Sequence, residues 1–258
     1  MFRRLLFVVT AATLALGACS SGAPAAPALT DPKEILTRAV ATFKDLKSLH
    51  LHADVSGQLK IDLAGTGHPS ELDLKGTTAD ADLDLPGKKA HLSFGVPLLL
   101  GLTGDIILIG KTSYTKVSLL GPKYSKSETS ASSDPASDPM DLQKVTAELD
   151  KFLSQPGVAP TKLADEKCGD RDCYHVSLNL TSDQLGGVVT GALASAAPTG
   201  SGTIDVWVQK NDLRPVKVTI AADGGAQGTA AVTLTLSKYD EPVTIDAPAE
   251  ADIQPAAS

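Results

Sequence analysis

The chain has 258 residues, 42% of them hydrophobic, and a formal net charge of −7. An acidic chain with no visible basic patch argues against nucleic acid as a partner. Aromatic residues make up only 4%, too few for a platform that stacks sugars or bases.

At the N terminus, Arg3 and Arg4 precede an almost uninterrupted apolar run from Leu5 to Leu16. These are the charged and apolar regions of a secretory signal. The run is shorter than the ~20 apolar residues of a membrane-spanning helix, and the arginine pair lacks the rest of a twin-arginine motif. Leu16-Gly17-Ala18-Cys19 resembles the lipobox of bacterial lipoproteins. That resemblance implies cleavage before Cys19 and diacylation of its thiol, with palmitate-type chains anchoring the protein in the cytoplasmic membrane. Two or three acyl chains exceed the marginal attachment given by one. Residues 1–18 are thus expected to be a signal peptide and residues 19–30 a lipidated Pro/Ala/Ser tether. Cleavage removes both arginines and shifts the net charge from −7 to −9.

Asp31-Pro32-Lys33-Glu34 reads as a capping box with proline at the first helical position. The helix it opens places Ile35, Leu36, Ala39, Val40, Phe43 and Leu46 on one face. From Leu49 to Leu63 every odd position is apolar or glycine and every even one polar, the period of a half-buried strand. After a register change near Gly76 to Thr78 the pattern returns at Ala79 to Leu85 and at Ala90 to Val96. It continues less cleanly from Ile106 to Val117. The most apolar window, Val96 to Ile109, contains Pro97, Gly101, Gly104 and Asp105 and does not read as a membrane span.

A second helix is expected after Asp138-Pro139, carrying Leu142, Val145, Leu149 and Phe152 and stopped by Pro156-Gly157. Cys168 and Cys173 follow. An even pair in an exported chain favours a disulfide over a metal site, here across a hairpin turn. Strand patterns resume at Tyr174 to Leu180. Thr181-Ser182-Asp183-Gln184 then caps a third helix through Ala192, and strands recur at Ile204 to Val208, Val216 to Ile220 and Ala230 to Leu236. About ten strands, each with one apolar side, make the fold class α+β around an antiparallel sheet with one face in water.

Ten strands at ~4.8 Å spacing and ~25 Å length present an apolar face of ~1,200 Å². Three helices of ~22 Å by ~10 Å cover only ~660 Å². The remainder must curl upon itself or receive a ligand or partner. Catalytic signals are weak. Ser113-Tyr114-Thr115-Lys116 matches S-x-x-K without the companion motifs. His50 and His52 read as solvent-facing strand residues rather than metal ligands. Asp80, Asp82 and Asp84 lack the spacing and glycine of a calcium loop. No cofactor is expected.

The capped helix, Lys47-Ser48-Leu49-His50-Leu51, the middle helix, Val206-Trp207-Val208 and Leu236-Ser237-Lys238-Tyr239-Asp240-Glu241-Pro242-Val243 together resemble the LppX/LprA/LprF/LprG family of mycobacterial-type envelope lipoproteins. The match spans about residues 31–247, leaving 248–258 as a flexible tail. The resemblance implies a strongly curved antiparallel sheet, a half-barrel similar to the LolA/LolB carriers, with helices on the concave side enclosing a hydrophobic cavity. It implies a non-enzymatic protein on the extracytoplasmic face of the membrane that binds acylated lipids or glycolipids and is loaded by an inner-membrane lipid exporter. Candidate lining residues on the apolar strand faces are Val176, Leu178, Ile204, Val206, Val208, Val216, Val218 and Leu234. The Cys168/Cys173 pair and the Ser127 to Pro139 loop depart from the family, so ligand identity does not carry over. The alternative is a lipid-free sensor or scaffold regulating a membrane partner; an envelope hydrolase is a third class.

Overall fold

The computed structural model describes residues 28–61, 69–128, 142–182, 184 and 200–255. The expected signal, Cys19 and most of the tether lie outside them. In chain order come α1 (Pro32–Ala41), β1 (Ser48–Ile61), β2 (Ser70–Asp73), β3 (Thr77–Asp84) and β4 (Lys89–Val96). Then follow β5 (Leu102–Ile109), β6 (Thr112–Val117), β7 (Ser125–Glu128), α2 (Leu142–Leu153), β8 (Thr161–Lys162) and β9 (Glu166–Cys168). The last strands are β10 (Arg171–Leu180), β11 (Ser201–Gln209), β12 (Pro215–Asp223) and β13 (Gly228–Ser237).

Among the described residues all strands join one sheet, in the order β7-β6-β5-β4-β3-β1-β13-β12-β11-β10-β8, with β2 beside β1 and β9 beside β10. Its terminal strands, β7 and β8, do not pair with each other, so the sheet is open. Two meanders, β3 to β7 and β10 to β13, meet at the long β1–β13 ladder running from His50↔Ser237 to Leu59↔Gly228. The ladder needs a glycine at position 57. Its φ is +119°, and a Cβ there would lie 2.2 Å from the Thr229 carbonyl oxygen.

Asp31 caps α1 by accepting from the backbone N–H of Lys33 (2.8 Å) and Glu34 (3.0 Å). Instead of reaching back to close the box, the Glu34 carboxylate pairs with Arg38 at 2.6 Å. The helix stops at Ala41, earlier than the apolar pattern suggests. Leu46 is nevertheless buried, delivered by the turn that follows. Thr181 and Gln184 exchange bonds as a capping box should: Gln184 Oε1 accepts from Thr181 N at 3.0 Å and Thr181 Oγ1 from Gln184 N at 3.5 Å. The helix expected beyond them falls outside the described residues, as does the start of the second.

Cys168 and Cys173 are joined, with Cα atoms 5.9 Å apart, across the β9–β10 hairpin whose turn places Gly169 at φ +61°. The C-terminal segment is attached to the sheet rather than free as far as Gln254. Tyr124 N donates to Asp252 O (2.8 Å), Gln254 N to Tyr124 O (2.8 Å), and Lys89 Nζ to Ile245 O (2.9 Å).

Candidate functional site

Strand alternation sends one set of side chains to a single apolar face. The register carries that face continuously across the sheet: Val176↔Val206↔Val218↔Leu234↔Ala53↔Ala79↔Phe94↔Gly104. The two ends of this face have different cover.

At the β10–β11 end, α1 packs on α2 and on both strands. Ile35, Leu36, Ala39 and Val40 of α1 and Leu153 of α2 form one core with Tyr174, Val176, Leu178, Leu180, Ile204 and Val208. Ile35, Val176 and Val208 are fully buried. Four of the expected cavity-lining residues, Val176, Leu178, Ile204 and Val208, therefore stand in close-packed core. Val206, Val216, Val218 and Leu234 keep partial exposure, and Val218 and Leu234 also border a second cluster formed by Leu46, Leu49 and Leu236.

At the β3–β6 end the apolar face is open. Val55, Leu92, Phe94, Ile106 and Leu108 are all half-exposed, and none belongs to either packed cluster. The surface is also smooth. Phe94 lies across Gly104, where a Cβ would fall 2.0 Å from Phe94 Cζ, so the glycine lets the ring lie flat. Small residues Ala53, Ala79 and Ala81 separate the larger ones in register. The result is an aliphatic strip with one aromatic ring, termed the trough below, suited to flexible hydrocarbon.

The opposite face of the same strands is polar and internally paired. His50 Nδ1 lies 2.8 Å from Asp82 Oδ1, His52 Nδ1 2.7 Å from Asp80 Oδ1, and His91 Nε2 3.0 Å from Asp105 Oδ1. The hydrogen bond that His52 donates to the Asp80 carboxylate raises the His52 pKa above 6.5 against the opposing effect of burial, with Asp54 adding to the rise. The histidines thus serve cross-strand hydrogen bonds to aspartates, and no metal-binding cluster occurs among the described residues. A cleft of ≈ 790 Å³ lies here, its polar lining from Thr78, Asp80, Ser93, Asp105 and Lys116 joined by Phe94, Gly104 and Pro122. Its hydroxyls, carboxylates and ammonium suit water or a polar group, beside the edge of the apolar face at Phe94.

Ser113 and Lys116 differ by an odd number of strand positions and so point to opposite faces. Ser113 Oγ meets Ser127 Oγ at 2.9 Å, while Lys116 Nζ donates to Tyr124 Oη at 3.2 Å. They form no nucleophile pair. A second polar network, invisible in the sequence, surrounds buried His175. Its ring nitrogens lie 2.9 Å from Glu166 Oε1 and 3.1 Å from Asp205 Oδ1, and the ring stacks on Trp207 at 4.2 Å. Trp207 Nε1 donates to Glu166 Oε2 at 2.9 Å. That bond, then the one from His175, holds the Glu166 carboxyl below its usual range. These bonds tie β9 to β10 and β11.

The LppX_LprAFG lipoprotein family matches residues 31–245. LprF from Mycobacterium bovis has a similar structure, with 22% identity, a TM-score of 0.56, and coverage of 84% of this chain and 97% of that one. LppX from Mycobacterium tuberculosis is similar at 16% identity and a TM-score of 0.53, covering 83% of this chain and 98% of the other. No significant match to a curated protein was found. No helix among the described residues is long and apolar enough to cross a membrane.

Proposed function

Because this chain belongs to the LppX_LprAFG lipoprotein family, we propose that it is a membrane-anchored carrier or presenter of acylated envelope lipids or glycolipids. The observation supporting this reading most directly is the open β3–β6 trough, where Leu92, Phe94 and Ile106 keep an apolar face without an apolar roof among the described residues. Burying acyl chains there contributes ~0.8 kcal/mol per methylene, so a few chains are held without a charged headgroup site. The lining extends from Val206, Val218 and Leu234, of which Val206 and Val218 border the core beneath α1, toward β4 and β5. Curvature of the sheet with helices over its concave side would deepen the trough into a cavity. The protein performs no catalysis in this reading; binding is by area and shape.

Cys19 supplies the anchor, and the tether from Ser20 to Thr30 spans ~20 Å as a coil and ~35 Å extended. That reach keeps the trough near the extracytoplasmic membrane surface, where an inner-membrane lipid exporter loads it. Purification of the Cys19→Ala chain from its own host, followed by lipid extraction and mass spectrometry, tests the reading. Stoichiometric acyl lipid is expected. Reproducible emptiness would favour a lipid-free sensor or scaffold, and substrate turnover a hydrolase.

A further inference from the structure

Two hairpin tips stand side by side at one end of the open meander. The β4–β5 turn reads Val96-Pro97-Leu98-Leu99-Leu100-Gly101-Leu102, and the β6–β7 turn Val117-Ser118-Leu119-Leu120-Gly121-Pro122-Lys123. Leu99 is 49% exposed, Leu100 93%, Leu119 63% and Leu120 77%. Isolated exposed leucines are ordinary, but four on two adjoining tips concentrate apolar surface in the way that marks an interaction surface.

The patch is held rigidly. Leu99 N donates to Val96 O (3.1 Å), Gly101 N to Pro97 O (3.1 Å) and Leu120 N to Val117 O (2.9 Å). The tips are bonded to each other through Ser118 N to Thr103 O at 2.9 Å and Thr103 N to Ser118 Oγ at 3.0 Å. Leu100 sits at φ +55°, a region where branched side chains are uncommon and glycine is at ease. The most exposed large side chain of the patch thus occupies a conformation that costs free energy, as residues at functional sites often do.

We infer that these paired tips dock the protein into the apolar boundary of a lipid bilayer, with Leu99, Leu100, Leu119 and Leu120 entering the acyl region. Charge placement identifies the bilayer as the occupant. In an acidic chain, residues 96–104 and 117–124 contain no aspartate or glutamate. Exposed Lys123 follows the second tip, and exposed Lys75 sits in the turn whose Gly76 adjoins Pro97. The neighbouring carboxylates, Asp73 at that turn and Asp252 whose backbone bonds Tyr124, belong to adjoining segments and not to the tips. Apolar tips backed by lysines match a hydrocarbon boundary beneath anionic headgroups. The tips also cap the strands that carry the trough, so a docked tip opens the apolar face toward the membrane. They are separate from any N-terminal attachment, since Leu29 is bonded to Tyr174 Oη toward the other end of the sheet.

The inference stands apart from the carrier reading and is tested separately from it. The Cys19→Ala chain is to be sedimented with phosphatidylcholine–phosphatidylglycerol vesicles, beside its Leu100→Asp/Leu120→Asp double variant and a Leu163→Asp control, with circular dichroism confirming the fold. Vesicle affinity is expected to fall about tenfold or more in the double variant and to hold in the control. A Leu120→Cys chain carrying an environment-sensitive dye should shift to the blue on vesicle addition. Equal binding by parent and double variant, or an unshifted dye, overturns the docking surface whatever lipid the protein carries. Absence of vesicle binding, with dimers that the double variant dissolves, would assign the patch to a second copy and likewise overturn it. Vesicle binding through the leucines by a chain without co-purified lipid would keep the docking surface and remove the carrier reading.

Discussion

Asp240 shows how much one side chain can organise. It sits at φ +60°, which aspartate tolerates better than most residues. Its Oδ1 accepts from Lys47 N at 2.9 Å, its Oδ2 pairs with Arg214, and its own N–H donates to Ser48 O at 3.1 Å. The neighbouring Tyr239 hydroxyl donates to Pro215 O. One short segment thereby ties the start of β1 to the end of β13 and the start of β12. The Lys47 N–H, followed by the Arg214 guanidinium, holds the Asp240 carboxyl below 3.8 against burial. A depressed carboxyl contributes stability that is present above its unfolded value and lost as pH falls through its folded one. Asp240→Asn should therefore lower stability at pH ~7 by roughly 1 kcal/mol, a modest figure for a partly exposed bond. The gap from the parent should close below pH ~4. Denaturation across that range checks it; a gap unchanged by acid would show that the charge contributes nothing. At this scale the sequence was readable where the interaction is local. Asp31 three residues before Glu34 announced its cap. The His50–Asp82 and His52–Asp80 pairs were not readable, because His-x-His and Asp-x-Asp show their partners only once cross-strand register is known.

Among the elements, strong alternation identified the long strands β1, β3, β4, β10, β11, β12 and β13. The segment from Ile106 to Val117 blurred because a tight turn at Gly110-Lys111 divides it into β5 and β6. Strands β2, β7, β8 and β9 carried no signal: they are short, largely exposed and polar on both sides, and exist through pairing with longer neighbours. Alternation also marked a single apolar face without showing which part of it is covered. Val208 and Ala81 both lie on that face, but Val208 is 0% exposed beneath the helical core while Ala81 lies half-exposed between Leu51 and Leu92 in register. Tryptophan should separate them. Val208→Trp should overpack the core and cost ~1–3 kcal/mol or more. Ala81→Trp should leave the melting temperature within a few degrees of the parent and reduce co-purified lipid. Destabilisation by Ala81→Trp as large as that by Val208→Trp would mean that the trough is ordinary packed core.

For the molecule as a whole, the open sheet divides the work between its two meanders. The β10–β13 half, with α1 and α2 upon it, holds the main core and the disulfide. The β3–β7 half offers an open apolar face and the leucine tips. Sequence periodicity could not apportion these roles, since helical cover depends on where α1 and α2 cross the sheet. The central claim is that acyl chains lie along the β3–β6 trough. Photocrosslinking tests it most directly: the Cys19→Ala chain loaded with a diazirine-bearing acyl phospholipid is irradiated, digested and mapped by mass spectrometry. Crosslinks are expected on the apolar side of β1, β3, β4 and β5, centred on Val55, Ala81, Leu92, Phe94 and Ile106, and reduced by Ala81→Trp. Crosslinks confined to the hairpin tips or the polar face, with the trough unlabelled, would contradict it.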